Sequence, residues 1–286
     1  MRYGFVVPFA SEVEFVELAR LGEEHGWDAV FSWEGVWRRD AWVQLGAAAA
    51  HTSRIRLGTL LTPAARYKPW DLASVVSSVD QLSHGRVTLG VGLGALNSNW
   101  TVFEGEEPRA VRAKKLDECL DIYAGLTSGE PFSYAGDHYS VDLTSPVEPD
   151  GPPPPVQCPH PPVWVVGAYL PGRKRQRSLE RAARWQGIFP AYVGGQEGSS
   201  GMTVEALSEI VARVRELREA EGLPWEGYDV VVEGDSHGDF GEVRGPTGPW
   251  EQAGATWWVE SWWDVEDSPA GVNELRRRIA AGPPTA

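Results

Sequence analysis

The sequence has little cysteine, fewer basic than acidic residues, and no long apolar run. Cys119 and Cys158 are the only cysteines and form no Cys-x-x-Cys pair, so neither a disulfide framework nor a zinc site is expected. Lysine and arginine number 26 against 40 acidic residues, which gives a net charge of −14. This balance argues against sequence-independent binding to nucleic acid or to an anionic membrane, because both partners require a basic face.

Apolar runs are too short for a membrane span, which needs roughly 18 consecutive residues. Residues 1–8 lack the apolar segment and the small-residue cleavage site of a signal peptide. A cytoplasmic location is therefore expected. The six histidines show no metal-ligand spacing, and neither a Gly-x-Ser-x-Gly elbow nor a P-loop occurs, so we expect no bound metal and no hydrolase of these types.

The composition otherwise favours a folded chain with many turns. Hydrophobic residues make up 42%, enough for a large core, and there are 32 glycines and 22 prolines. Tryptophan is unusually frequent, with 14 copies. Most of these rings are expected to fill the core, and some to line a pocket for a flat ligand.

Strand-like and helix-like segments alternate along the chain, which predicts βαβ units and a parallel sheet. Ser11, with Glu14 three residues later, forms the capping box that opens the first helix. Eight strand candidates at this chain length favour one closed (β/α)₈ barrel over residues 1–286 rather than an open sheet. The predicted strands are 3–9, 29–33, 55–61, 86–93, 163–166, 187–190, 229–233 and 256–260.

Residues 127–162 interrupt this rhythm after the fourth strand. They are rich in proline and mostly irregular, which is typical of a functional insertion in a compact domain. A linker between two domains is the alternative. The last residues, 282–286, are expected to fray.

Active-site groups of such a barrel come from the carboxyl ends of its strands. Glu34, Glu233, Asp235 and Glu260 lie at such ends, and Glu34 is the best candidate for acid–base catalysis. A salt bridge at the barrel rim explains Glu34 equally well. Gly90, Gly92 and Gly94 alternate at the end of the fourth strand, and either a flat ring or a tapered barrel interior would require such a bare face.

A basic run from Arg173 to Arg177 follows the strand that ends at Gly167 and precedes a helix. Glycine, basic residues and a helix start together favour a phosphate site, with a solvated helix face as the alternative. Consecutive helical positions diverge by about 100°, so not all of these charges can point inwards. We expect Arg173 and Ser178 to contact the phosphate.

Several blocks of the sequence together resemble the luciferase-like, flavin-dependent oxidoreductases, over about residues 3–192. The blocks are RIRLGT (54–59) with TP (62–63), RYKPW (66–70), DQLSHGR (80–86), LGVGLG (89–94), RAKKLDE (112–118), PVWVVG (162–167) and LERAARW (179–185). The resemblance implies the (β/α)₈ fold with an insertion after the fourth strand. It also implies a bound FMN, or the deazaflavin F420 in its place.

The resemblance further implies where the cofactor lies. Its ring packs near Thr59, Leu60, Gly92 and Gly94, and its phosphate meets Gly167, Ala168 and the run that begins at Arg173. Two positions depart from the family pattern. Glu34-Gly35 stands where family members commonly carry Asp-His, and Gln186 stands where an acidic residue is usual.

These observations predict a flavin-dependent oxidoreductase that transfers a hydride or activates oxygen on a small organic molecule. We expect the substrate side of the cofactor pocket to be lined by Trp33, Trp37 and Trp258. Glu34 is expected to exchange a proton with the substrate. A separate flavin reductase and a homodimer are compatible with the resemblance. A barrel that binds a flavin or another flat ligand without turnover is the alternative, favoured by the missing imidazole at Gly35.

Overall fold

Eight parallel strands close into a barrel, which confirms the predicted (β/α)₈ fold. The computed structural model describes residues 1–94, 100–144, 153–194, 201–236 and 243–284, without the side chains of 100 and 101. The strands are β1 (Arg2–Val6), β2 (Ala29–Ser32), β3 (Arg56–Pro63), β4 (Val87–Gly92), β5 (Ser133–Ala135), β6 (Ser140–Asp142), β7 (Val163–Tyr169), β8 (Gly187–Tyr192), β9 (Asp229–Gly234) and β10 (Trp257–Ser261). The barrel order is β1-β10-β9-β8-β7-β4-β3-β2, and β5 pairs with β6 in a separate hairpin.

Helices surround the barrel and connect successive strands. They are α1 (Glu12–Glu24), α2 (Ala41–His51), α3 (Pro69–Ser83), α4 (Trp100–Phe103), α5 (Arg109–Thr127), α6 (Arg177–Ala183), α7 (Val204–Ala220), α8 (Gly248–Gln252) and α9 (Pro269–Ala280). The first of them begins as predicted. The Ser11 hydroxyl accepts the Glu14 N–H, and the Glu14 carboxylate accepts the Ser11 N–H at 2.8 Å, so the capping box is confirmed.

Large aromatic side chains fill the inside of the barrel. Phe31, Trp164 and Trp257 are almost completely buried there, and their ring centroids lie 5.6 Å and 5.2 Å apart in succession. The barrel interior is therefore a packed core rather than a channel. Eight of the tryptophans are buried in the structure, which agrees with the expectation that most of them fill the core.

The segment after α5 is tied to the barrel more firmly than its composition suggests. Besides its irregular parts it contains the β5–β6 hairpin, which the sequence did not predict. The Glu118 carboxylate accepts three backbone N–H groups at residues 137–139 of the hairpin turn. The Asp80 carboxylate likewise accepts the backbone and side-chain N–H groups of Gln157 at 3.0 and 2.8 Å. Residues 145–152 lie outside the described part of the chain.

The carboxyl-terminal residues continue from α9 onto the barrel. The Gly282 N–H donates to the Ile279 carbonyl oxygen at 3.1 Å, and Pro284 is buried. Residues 285–286 are outside the described part, and the fraying expected over residues 282–286 stays a prediction. Within the described residues, no helix has the length and apolar character needed to cross a membrane.

Candidate active site at the carboxyl end of the barrel

The barrel strands end on the same side, and their last inward side chains line the opening there. We call the buried cluster inside the barrel the inner core: Val6, Ala29, Phe31, Leu60, Trp164, Val231, Trp257 and Val259. Trp33, Leu61 and Phe189 pack on it. Val166, Glu233 and Ser261 each follow an inner-core residue by two positions, so they too face inwards. We call the eight inward positions at the strand ends the mouth: Pro8, Trp33, Leu61, Gly92, Val166, Phe189, Glu233 and Ser261. All of them except Pro8 and Gly92 are partly exposed, so the opening reaches solvent.

Glu34 lies beside the mouth, where it connects β2 to the segment after β3. Its Oε1 lies 2.7 Å from the Thr62 hydroxyl, and its Oε2 accepts the Tyr67 hydroxyl at 2.9 Å. The Thr62 hydroxyl also lies 2.9 Å from that of Thr59, which donates to the Gly90 carbonyl oxygen at 3.0 Å. These contacts link Tyr67 to β4, with the single Thr62 hydroxyl proton shared between Glu34 and Thr59.

Burial raises the pKa of the Glu34 carboxyl, while hydrogen bonds from Thr62 and Tyr67 oppose that rise. Burial and the nearby Glu34 carboxylate raise the pKa of Tyr67 as well. Since both carboxylate oxygens have hydroxyl partners, the geometry gives Glu34 an anchoring role. The catalytic role stays a prediction.

The end of β3 contains a bulge at two of the residues predicted to contact the cofactor. The register with β4 shifts between Thr59 and Thr62, and the Leu60–Leu61 peptide bond is cis. A Cβ at Gly90 would lie 2.1 Å from the Thr59 carbonyl oxygen, which cannot move aside easily because it is backbone. The bulge therefore requires glycine at position 90, without any ligand.

Gly92 has more room than Gly90. A Cβ there would lie 3.3 Å from Val166 Cγ2 and 3.5 Å from Leu61 Cδ1, which are side-chain atoms at tight to ordinary contact distance. Gly94 lies beyond β4 with φ of +79°, a left-handed conformation that favours glycine. The predicted glycine face thus divides into one residue required by packing, one bare position at the mouth and one turn.

The tryptophans predicted to wall the substrate side lie in different places. The Trp33 indole N–H donates to the Pro8 carbonyl oxygen at 2.8 Å, and its ring packs edge-on against Trp263 at 5.8 Å. Trp37 is 88% exposed and touches Phe103 at the rim, with ring centroids 6.4 Å apart. Only Trp33 of these lies at the mouth.

Trp258 lies on the opposite side of its strand from the mouth. Its ring is fully buried in the larger hydrophobic cluster, where the strands meet the helices, and its centroid lies 6.2 Å from that of Trp250. Its indole N–H donates to the Glu260 carboxylate at 3.0 Å. The inner positions of β10 are Trp257 and Val259, one residue to either side. The structure therefore does not place Trp258 where it could touch a substrate at the mouth.

A basic cavity of about 1410 Å³ opens between α5 and α6. It begins at Leu93 and Ala168, next to the ends of β4 and β7. Its lining includes seven cationic side chains against three carboxylates. The cations are Arg109, Lys114, Arg173, Arg175, Arg177, Arg181 and Arg184. Within the described residues, Arg109, Arg173 and Arg177 take part in no ion pair.

The predicted phosphate contacts near this cavity are only partly available. The Ser178 hydroxyl accepts the Ala168 N–H at 3.0 Å and donates to the Val166 carbonyl oxygen at 3.1 Å, so its proton is already used. A Cβ at Gly167 would lie 2.4 Å from Ile188 Cδ1, so this glycine serves packing on the outside of β7. Ala168 and the exposed Arg173 do line the cavity, and their contacts with a phosphate remain predictions.

Arg112 of α5 has an unsatisfied donor next to the same strand ends. Its Nη1 donates to the carbonyl oxygens of Leu93 and Gly94, both at 2.9 Å. Its Nε is buried and has no hydrogen-bond partner among the residues that the structure describes. A buried guanidinium N–H without a partner is costly, and an anionic group placed there would satisfy it. In the sequence Arg112 was visible only as part of a family-like block.

Glu233 is a further residue that the sequence placed at a strand end without assigning it a role. Its Oε1 accepts the indole N–H of Trp263, the ring that packs on Trp33. Burial raises the pKa of the Glu233 carboxyl, against hydrogen bonds from Trp263 and Ser261. The sequence could have indicated this orientation, because alternate residues of a strand face the same side. Val231 belongs to the inner core, and Glu233 lies two positions after it on the same face of β9.

Comparisons with known proteins place the chain in a family. The model of the family described as luciferase-like monooxygenase matches residues 1–237. The F420-dependent glucose-6-phosphate dehydrogenase of Nocardia farcinica is 37% identical over 139 residues, which are 44% of this chain and 41% of that protein. An uncharacterized protein of Mycobacterium tuberculosis is 41% identical over 133 residues, 45% of this chain and 43% of its own length. The match thus spans about two-fifths of these relatives.

Solved structures share the fold at low identity. An F420-dependent secondary alcohol dehydrogenase, in complex with an F420-acetone adduct, is 15% identical with a TM-score of 0.72 and coverage of 98% of both chains. The oxygenating constituent of 3,6-diketocamphane monooxygenase from Pseudomonas putida, in complex with FMN, is 17% identical with a TM-score of 0.63. The alignment covers 82% of this chain and 67% of that one.

Proposed function

Because the chain belongs to the luciferase-like monooxygenase family, we propose that it is an oxidoreductase that transfers a hydride between a small organic substrate and F420. Relatives named for F420-dependent activity support the deazaflavin, since they match this chain at 33–38% identity. FMN, the first expectation from the sequence, is the competing cofactor.

The residues of the mouth fit a flat, mostly apolar ring. Gly92 presents bare backbone, and Leu61, Val166 and Phe189 present apolar side chains around it. The inner core fills the barrel beneath the mouth, with Trp164 and Trp257 almost fully buried, so water cannot reach the ring through the barrel interior. Thr59 is completely buried, and any contact it makes with the ring runs through the backbone of the bulge.

The basic cavity fits the anionic arm of such a cofactor. Its inner end at Leu93 and Ala168 adjoins the mouth, so a ring at the mouth can extend its arm along α6. Arg112 Nε is the buried donor nearest that end, and Arg173 and Arg177 follow on the surface. Charge-assisted hydrogen bonds from these guanidinium groups to an anionic oxygen are stronger than hydrogen bonds between neutral groups.

The number of cations in this cavity favours F420 over FMN. The arm of F420 carries a phosphodiester followed by carboxylates, whereas FMN carries one phosphate. Arg109, Arg173 and Arg177 take part in no ion pair within the described residues. Spread along a cavity of about 1410 Å³, they suit a long polyanion better than a single dianion. This is the observation that carries the choice of cofactor.

The bound deazaflavin would supply a hydride acceptor or donor, and the chain's own residues would position the substrate against it. Trp33 and Trp263 form a wall at one side of the mouth, because their rings pack edge to face. The Pro8 carbonyl fixes the Trp33 ring in place. This wall would shield the reacting atoms from water and orient an apolar substrate.

Equilibrium binding of three ligands tests the proposal: F420, FMN and the deazaflavin without its phosphodiester arm. We expect F420 to bind most tightly, with a preference over the armless deazaflavin that shrinks as salt is raised. Arg173→Ala together with Arg177→Ala should reduce that preference. The matched control is Arg277→Ala on α9, an exposed arginine outside the cavity lining that pairs with Glu274. Tighter binding of FMN than of F420 would contradict the choice of cofactor.

A further inference from the structure

One titratable side chain stands alone among apolar and neutral neighbours at the mouth. Of the eight mouth positions, Glu233 is the one that carries an ionisable group. Its position follows from the phase of β9 and, independently, from its hydrogen bond to Trp263, whose ring packs on Trp33. Two separate observations therefore direct this carboxyl towards the opening.

Glu233 differs from Glu34 in what its oxygens do. The carboxylate of Glu34 is held from both sides by the hydroxyls of Thr62 and Tyr67, away from the inner core. The Glu233 carboxyl is held through Oε1 by an indole that is itself 49% exposed at the rim. It is therefore fixed in place yet within reach of a molecule entering the mouth.

We propose that Glu233 is the group that exchanges a proton with the substrate, and that the mouth accepts uncharged alcohols or carbonyl compounds rather than phosphorylated ones. This inference rests on the proposed function, because it presumes a hydride-transferring cofactor beside the mouth.

The proton step balances the hydride step. In alcohol oxidation the O–H bond breaks and its proton passes to a carboxylate oxygen of Glu233. With an oxidised cofactor bound, the carbon-bound hydrogen would pass to it together with its electron pair, and the C–O bond would become a carbonyl. In the reverse direction, protonated Glu233 returns the proton to the developing alkoxide.

Electrostatics at the mouth favour an uncharged substrate. Within the described residues no mouth position carries a cation, and the segments outside them contain neither Lys nor Arg. Asp235, two residues after Glu233, and Asp264, which follows Trp263, lie 3.6 and 3.9 Å from the guanidinium of Arg278 on α9. A phosphate among the eight mouth positions would therefore face the Glu233 carboxylate, whereas the cations Arg38 and Arg39 line the adjoining cavity beyond Pro8 and Trp33.

Burial raises the pKa of Glu233, and the donors Trp263 and Ser261 limit the rise. A carboxyl whose pKa is moved towards neutrality is better suited to exchange protons in both directions. Glu260 on the next strand is a matched control. Its pKa is also raised by burial, and it too accepts an indole N–H, from Trp258, but it faces the helix layer.

Titration of the cofactor-free chain gives a readout that does not depend on turnover. Carboxyl ¹³C NMR of glutamate-labelled protein, compared with that of Glu233→Gln, should identify a glutamate that titrates above the ordinary value of 4.5. In Trp263→Phe the same signal should titrate at still higher pH, because a hydrogen bond that stabilises the ionised form is lost. An ordinary titration of Glu233 would overturn the proposal.

Kinetics with uncharged secondary alcohols and with glucose 6-phosphate complete the test. We expect turnover of an alcohol, with kcat/KM falling as pH drops below the pKa of Glu233. Glu233→Gln should lose that pH limb and roughly 10²–10⁴ of the rate, whereas Glu260→Gln should keep the limb. A preference for glucose 6-phosphate, or an intact pH limb in Glu233→Gln, would refute the assignment. Failure to retain any cofactor contradicts the proposed function instead, while the titration still decides the state of Glu233.

Discussion

Alanine at Gly90 and at Gly92 should have opposite consequences, although the two glycines share one face of one strand. At Gly90 the new Cβ would meet the Thr59 backbone oxygen at 2.1 Å, so β3 or β4 must shift. Overpacking of this kind costs about 1–3 kcal/mol. At about 2 °C per kcal/mol for a chain of this size, Tm should fall by roughly 2–6 °C.

At Gly92 the nearest atom is a valine methyl at 3.3 Å, which can give way slightly. Alanine also loses less backbone entropy on folding than glycine, by roughly 0.5–1 kcal/mol, so the stability of Gly92→Ala should stay close to that of the natural chain. A cofactor ring lying on Gly92 would nevertheless meet the methyl group. We expect its binding to weaken roughly tenfold or more, which corresponds to about 1.4 kcal/mol.

Thermal melts without cofactor and equilibrium titrations with F420 measure the two effects on both variants. The expected pattern is a lower Tm for Gly90→Ala and weaker binding at nearly unchanged Tm for Gly92→Ala. A Gly92→Ala chain that melts as low as Gly90→Ala would show that glycine at 92 is also required by packing. Unchanged cofactor affinity in a stable Gly92→Ala chain would show that the ring does not lie there.

The remaining predictions concern three charged residues. Glu34→Ala should destabilise the chain by about 1–3 kcal/mol, since the buried Thr62 hydroxyl and the half-buried Tyr67 hydroxyl lose their acceptor. Glu34→Gln should recover most of that loss. Urea unfolding measures both, and a fully stable Glu34→Ala chain would contradict the anchoring role. Ionising Glu233 should lower the stability of the folded chain as pH rises from 4.5 through the raised pKa of the folded state. The Tm of Glu233→Gln should therefore exceed that of the natural chain above that pKa, but not below pH 4.5. Equal Tm values of the two chains at both pH values would argue against burial of the charge. Arg173→Ala should weaken FMN more than riboflavin, which lacks the phosphate, and equal weakening would mean that Arg173 supports only the shape of the cavity.

Local patterns in the sequence were sufficient for the architecture. Each barrel strand is a short apolar run between helix signals, and a parallel strand buried on both faces needs no alternation to be recognised. The capping box at Ser11 and Glu14 depends on contacts three residues apart, so it too could be predicted. The hairpin β5–β6 could not, because its strands are three residues long and are held by Glu118 of α5.

The direction of a side chain at a strand end was harder to predict. In a strand that is apolar on both faces, Trp257 and Trp258 look alike, and a shift of one residue exchanges the inside for the outside. Trp258 was therefore assigned to the pocket, whereas Trp257 is the inner residue. Glu34 and Glu233 were equally ambiguous, since only the tertiary contacts show which carboxyl has hydroxyl partners on both oxygens.

Other features depend on contacts between distant segments. The need for glycine at position 90 comes from the bulge of β3, which lies about thirty residues earlier in the chain. The unsatisfied Nε of Arg112 becomes visible only when α5 lies against the turn after β4. The density of positive charge around Arg173 was visible in the sequence, but its extension by Arg109 and Lys114 of α5 was not.

Single-turnover reduction of the reconstituted protein in the absence of oxygen tests the central claim most directly. The chain is loaded separately with oxidised F420 and with FMN, mixed with an uncharged secondary alcohol, and followed by the visible absorbance of the bound ring. We predict that bound F420 is reduced without oxygen and that deuterium at the carbinol carbon slows the reduction. Retention of neither cofactor, or turnover that requires both FMN and oxygen, would contradict this account.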